Sequence, residues 1–271
     1  MIKIARVAEK HRSQISEVKI VNKLQYISLP LLILVVWKVL SDLQVINPVA
    51  LPSPEKVAES FYTMILNGQL AKHVGISILR VLEGYSLAVV LGIVLGVAIG
   101  LSRSLNRITD FTIQLLRPIP PIAWIPLAII WFGVEEESKI FLIFLGGFFP
   151  ILLNVTDGIR QTEQKLVEVS KVLEASLWRF IFRLVIPGAL PSIMTGLRIG
   201  IGSAWLCVVA AELIAADRGI GYMIMDARQL LQTDLVIVGM ITIGLIGKIM
   251  DTLLKQLEFV LIRWKVNYQG D

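Results

Sequence analysis

Charge and cysteine are what this chain has least of. Only 17% of its 271 residues are charged, against 55% that are hydrophobic, whereas a soluble domain carries roughly a quarter charged residues. The mean hydropathy of +0.75 argues the same way: lipid, not water, is the expected solvent. The single cysteine, Cys207, sits inside an apolar run, so an intrachain disulfide and a thiolate metal site are excluded. Two histidines, His11 and His73, leave no zinc-hydrolase motif. No phosphate-binding loop of the Gly-x-x-x-x-Gly-Lys-Ser/Thr type is present; Gly247-Lys248-Ile249 lacks both the upstream glycine and the hydroxyl. The chain is therefore expected to hold neither ATP nor a metal. No Ser/His, paired-Asp or His-cluster arrangement shares one depth, so it is not expected to be an enzyme. The net charge of +5 does not point to nucleic acid, because the basic residues are not gathered on one face with aromatics between them. Fixed-period repeats, low-complexity tracts and long linkers are also lacking. Nor does a small-residue cleavage site follow the first apolar run, so a cleavable signal is not expected.

What the chain does have is long apolar runs. A helix needs about 20 apolar residues to cross a bilayer, since every backbone N–H and C=O must be paired within the segment. Six stretches qualify: Leu24–Leu40, Ser77–Leu101, Phe111–Phe132, Ile140–Val155, Pro191–Leu213 and Leu235–Leu257. The third carries Pro118, Pro120, Pro121 and Pro126 and is expected to bend or unwind. Lys and Arg in the connections number sixteen on one side and five on the other, which places both termini in the cytoplasm. The expected organisation is a cytoplasmic tail over 1–23, one membrane domain over 24–258 and a second tail over 259–271. Between the first two spans, Ser53 and Pro54 read as the cap and first turn of a short helix with Val57, Phe61 and Ile65 on one face, lying along the outer interface.

Charges within the spans invite scrutiny, because they are costly at membrane depth. Arg80 with Glu83, and Lys248 with Asp251, have the spacing of local pairs on one helix. Arg198 shares a helical face with Met194, Gly202 and Trp205, and could line a path for an anion or fix packing through a carboxylate. Glu212 falls near the outer end of the fifth span, with structural and gating roles both open. Trp124 and Trp205 could narrow a path or anchor the chain. Gly92, Gly96 and Gly100, and nearly so Gly196, Gly200 and Gly202, have the small-residue spacing of close helix packing.

The most informative segment is polar, from about Gly158 to Pro191. Leu166, Val169, Ser170, Val172, Leu173 and Leu177 give it an apolar helical face, suited either to lipid headgroups or to a groove on a partner. Within it, Glu168-Val-Ser170-Lys171-Val-Leu173-Glu174-Ala175-Ser, then nine residues after Glu174 Leu184-Val-Ile-Pro187, resembles the EAA signature of bacterial ABC-importer permeases. Leu51-Pro-Ser-Pro, Arg117-Pro-Ile-Pro-Pro through Gly133, Gly196-Leu-Arg-Ile-Gly200, Ala210-Ala-Glu-Leu-Ile-Ala215 and Gly219-Ile-Gly-Tyr222 are similar to the taurine, alkanesulfonate, nitrate and bicarbonate branch. Glu174 stands where that family has glycine, a residue that admits positive φ.

The resemblance implies an all-α polytopic protein of the type I importer permease fold, in the bacterial cytoplasmic membrane. It implies that residues about 160–187 couple to the ATPase through Glu168, Ser170, Lys171, Leu173, Glu174, Ala175 and Pro187. Trp124, Met194, Arg198, Trp205 and Glu212 become the candidate path residues. The implied partners are a second permease copy, two cytoplasmic ATPases that bind ATP and Mg, and a periplasmic or lipoprotein substrate-binding protein. The implied cargo is a small anion, with taurine or another alkanesulfonate ahead of nitrate or bicarbonate. An ion-coupled secondary transporter is the alternative from a different class; it would need mid-membrane acids or broken helices in symmetric halves.

Overall fold

The computed structural model describes residues 28–262. The expected tail over 1–23, the start of the first span and all but the first residues of the tail over 259–271 lie outside them. The helices are α1 (28–42), α2 (Pro54–Leu66), α3 (Gln69–Leu101), α4 (Arg103–Leu116), α5 (Ile125–Phe132), α6 (Glu136–Arg160), α7 (Gln164–Val172), α8 (Leu177–Phe180), α9 (Ile186–Ala215), α10 (Ile220–Gln229) and α11 (Thr233–Leu261). No strand occurs among the described residues.

Four helical stretches are long and apolar enough to span a membrane: α3, α6, the run Leu177–Ala215 that contains α9, and α11. They match four of the six expected spans, each extended at one or both ends. The proline-rich third stretch breaks as expected. Arg103–Leu116 and Pro121–Phe132 meet at 85°, because Pro118, Pro120 and Pro121 remove the N–H donors that would carry the helix through. α4 is accordingly an amphipathic helix with no buried residue, and the span begins later than Phe111.

Glycines set how these helices approach. A Cβ on Gly92 would come within 2.8 Å of Ile151, one on Gly96 within 2.7 Å of Val155, and one on Gly100 within 2.9 Å of Ile159. Partner and glycine advance in step, so α3 and α6 are parallel and nearly touch along one stripe. Lipid tails are as apolar as the side chains, so this close contact stabilises by dispersion more than by removal from water. Gly196 meets Asn154 and Gly200 meets Ile151, now in reverse order, so α9 runs antiparallel to α6. Gly202 faces open space instead, which removes it from the packing stripe expected of it.

Pro187 and Pro191 do not end a helix. The helix runs unbroken from Leu177 to Ala215, several residues before the expected start at Pro191. It passes through a π-turn at Ile181–Val185 immediately before Pro187, a wider turn that accommodates the missing proline donor.

These directions define two ends. One carries α7 and α8, where α3 ends, α6 ends and the run into α9 begins. The opposite end carries α2 and α10. There α2 starts as expected, with the Ser53 hydroxyl accepting from the Lys56 N–H at 3.3 Å. Val57 is buried, Phe61 half-buried and Ile65 exposed. α2 packs against α11 and α3, held by Ser60 donating to Asp234 at 2.6 Å, so it is part of the bundle as well as its edge.

Candidate functional site

At the end opposite α7, a charge cluster ties three helices together. Arg80 of α3 donates two bonds of 2.6 Å to Glu136 at the start of α6. It donates one of 2.9 Å to Glu212 near the end of α9 and one of 2.7 Å to the Arg218 carbonyl. Lys139 lies 3.7 Å from Glu136, so two cations face two carboxylates. Glu212 also accepts from Ser77 at 2.7 Å and from the Gly221 N–H at 2.8 Å, while Ser77 accepts from the Ile220 N–H at 3.0 Å. The carboxylate thus sits under the positive end of α10. The sequence Gly219-Ile-Gly221 makes that possible: a Cβ on Gly219 would strike the Glu212 carboxylate, and one on Gly221 would lie 2.7 Å from the Glu212 Cβ.

This cluster corrects two local pairings. Arg80 reaches across to Glu136 and Glu212, and Glu83 is exposed away from it. Asp251 pairs with Arg198 at 2.9 Å instead of Lys248; Glu258 adds a second contact to Arg198 at 3.4 Å. In both cases the tertiary partner offers bidentate or multiple charge-assisted bonds that neighbours on one helix cannot supply.

Between the two ends, one face of α9 borders successive cavities. Ile199 and Ser203 line a cavity of about 480 Å³ together with Arg117, Trp124, Asn154 and Asp157. Ser203, Leu206, Cys207 and Ala210 line the next, of about 250 Å³. Ile214 borders a third beside Arg80 and Glu136, of about 620 Å³. Residues 199, 203, 206, 207, 210 and 214 recur at helical spacing, so α9 presents one continuous cavity-lining stripe. The kinked segment Pro120–Trp124 forms the facing wall, and its irregular backbone is tolerable at membrane depth because it borders a cavity.

Of the expected path residues, Trp124 lies on this furrow. Met194, Trp205 and Glu212 are buried within the chain's own bundle, with Trp205 donating from its indole N–H to the Ile243 carbonyl at 3.1 Å. Arg198 lies between α9 and α11, about a quarter-turn from the stripe. Sequence reading missed Ser203, Asn154 and Asp157; the signal available was their polarity inside apolar runs.

The residues expected to couple to a partner gather at the other end. α7 carries Glu168, which accepts from Gln164 at 3.2 Å, and Ser170, which donates to the Val167 carbonyl at 2.7 Å. Lys171 is on the same helix, its side chain lying outside the described ones. Glu174 adopts φ 46°, the left-handed conformation glycine favours. The Ala175 N–H donates to the Ser170 carbonyl at 3.0 Å, the six-to-one closure of a helix end. The turn a glycine would make is therefore made by Glu174, at a cost of about 1–2 kcal/mol. Beyond it Val172 is 83% exposed, Leu173 73% and Trp178 72%, with Leu177 alongside. Trp178 stacks on Phe182 at 5.2 Å. Pro187 stands half-buried at the base of this ledge.

An all-α bundle with several spans, a furrow along one helix and an uncovered apolar loop at one end has the form of a membrane transport component. The family description "binding-protein-dependent transport system inner membrane component" matches residues 88–262. This chain belongs to that family. It is 42% identical over 242 residues to SsuC of Bacillus subtilis, a protein assigned to aliphatic sulfonates transport, covering 89% of this chain and 88% of that one. It is 39% identical over 237 residues to the taurine transport system permease TauC of Escherichia coli, covering 86% of each. It is 40% identical over 239 residues to the nitrate import permease NrtB of Synechocystis, covering 85% and 86%. A structure of the MetNI methionine ABC transporter in inward-facing form shares the fold. Its TM-score is 0.54 at 17% identity, over 66% of this chain and 92% of that one. The chain is thus an ABC-importer permease of the sulfonate, taurine and nitrate branch.

Proposed function

We propose that this chain is the path-forming membrane subunit of an ATP-driven importer for small sulfonates. The carrying observation is the pairing of a furrow along α9 with an uncovered apolar ledge at one end of the bundle. The ledge of Val172, Leu173, Leu177 and Trp178, with Glu168, Ser170, Lys171, Glu174, Ala175 and Pro187 around it, docks a cytoplasmic ATPase. That partner holds ATP and Mg, and two copies of it serve two copies of this chain. A binding protein delivers substrate at the α10 end, which faces outward, so both termini lie in the cytoplasm. Movement of the ledge rocks α9 against α6 and opens the furrow alternately to the two sides. Arg198, held by Asp251 and Glu258, acts as a strut between α9 and α11.

Sulfonates lead because relatives named for sulfonate and taurine transport match over nearly the whole chain; the similarity to a nitrate permease keeps nitrate in the test. The full complex, reconstituted in proteoliposomes with its ATPase and binding protein, is expected to accumulate taurine or ethanesulfonate in an ATP-dependent manner, ahead of nitrate. Accumulation of nitrate alone would overturn the sulfonate assignment. Solute movement by the purified chain without its ATPase would overturn the importer reading and favour a secondary transporter.

A further inference from the structure

We propose that the 480 Å³ cavity of the furrow is a subsite for a zwitterion, a small molecule with a tetrahedral anion at one end and an ammonium at the other. This inference rests on the sulfonate reading above and names the class of sulfonate: an aminoalkanesulfonate. The cavity has the volume of an ordinary small-molecule site. It holds one cation, Arg117, and one carboxylate, Asp157. Among the described residues neither has an ion-pair partner, and they do not pair with each other, whereas Arg80, Lys139, Arg198, Glu136, Glu212 and Asp251 are all paired.

Ionisable groups in a membrane domain line a path or find a partner. A partner for this pair must offer both signs. A simple monoanion satisfies Arg117 but is repelled by Asp157 in a setting where charges are poorly screened. A molecule with sulfonate and ammonium a short chain apart answers both. Arg117 offers the planar donor fork that suits a sulfonate, and Asp157 is an acceptor for the ammonium. Ser203 and the Asn154 amide, which already donates to the Pro150 carbonyl at 2.8 Å, add neutral polar groups, and Trp124 supplies an apolar wall.

Binding of labelled 2-aminoethanesulfonate to the purified permease and ATPase complex, without the binding protein, tests this directly. Ethanesulfonate is expected to compete at least tenfold more weakly, and nitrate more weakly still. Asp157→Asn should shrink the ratio of the two sulfonates' affinities at least tenfold. Arg117→Gln should weaken both, with Arg117→Lys recovering part. Reagent labelling at Ser203→Cys in a Cys207→Ser background, slowed by the aminosulfonate, checks the same site without charge removal.

Equal competition by ethanesulfonate, or a ratio unmoved by Asp157→Asn, overturns the inference while the sulfonate reading stands. If the reconstituted complex carries neither sulfonate, both fall together. An ethanolamine phospholipid headgroup presents the same two charges. Binding and its dependence on Arg117 and Asp157 should persist in phosphatidylglycerol vesicles lacking such lipid; their loss would assign the subsite to lipid and overturn the proposal.

Discussion

The two ends of this bundle solve opposite problems. At the α10 end, the polar groups of Arg80, Ser77, Glu136, Glu212 and the α10 N-terminus satisfy one another within a single chain. At the α7 end, apolar side chains as large as Leu173 and Trp178 lie uncovered. A charge buried without partners is costly, so the first end must be complete as folded. An apolar ledge is costly only until something covers it, so the second can await a partner. The contrast teaches where this chain is self-sufficient and where it is one part of an assembly.

The largest effect expected is at the closed end. Glu212→Leu leaves Arg80 and the N–H of Gly221 short of a buried partner and should cost about 3–5 kcal/mol, read as a fall in the thermal midpoint of the solubilised chain. Arg80→Leu combined with it should recover part of the loss. A change under about 1 kcal/mol would mean that the cluster is not what holds α3, α6 and α9 together.

The open end should respond in the other currency. Leu173→Asp or Glu168→Lys is expected to weaken co-purification with the ATPase at least tenfold and to uncouple uptake from hydrolysis. The midpoint itself should move by no more than about 0.5 kcal/mol, as for exposed substitutions. Normal uptake by these variants would count against docking at the ledge, and a large loss of stability would erase the contrast between the ends.

The helix stripe connecting the two ends should be intermediate. Gly96→Val forces a Cβ into Val155 and should cost about 1–3 kcal/mol by overpacking, whereas Gly202→Ala, facing open space, should be near neutral. Equal effects would contradict the register of α3 on α6. The smallest change is Glu174→Gly. It relieves the left-handed strain of about 1–2 kcal/mol, offset in part by the freedom glycine gains when unfolded. Slightly slower hydrogen exchange at Ala175 is expected; faster exchange would mean that Glu174 supports the turn by another contact.

Much of this was readable in one dimension. The apolar runs, the proline break, the Ser53 cap and the amphipathic character of Gln164–Val172 depend on near neighbours, and near neighbours are what a sequence displays. The pairing of Arg80 was misread for the same reason. Glu83 is three residues away in the chain, while Glu212 is brought near only by the register of α9 on α6 and α3. Likewise, Arg198 looked like a path residue because charge in a span attracts attention. The furrow lies on the adjacent stripe of α9, and no periodicity says which stripe the kinked segment will leave uncovered.

By itself, then, the order of residues determined that the chain lives in lipid, where it crosses, where it must break and which loop stays polar, since each follows from backbone pairing and hydropathy within a segment. Only the packed structure decided which charges neutralise each other, that Glu174 takes glycine's conformation, and which face of α9 borders open space. Those outcomes depend on how closely glycine-lined helices approach and at what register, a property of pairs of helices that neither helix carries alone.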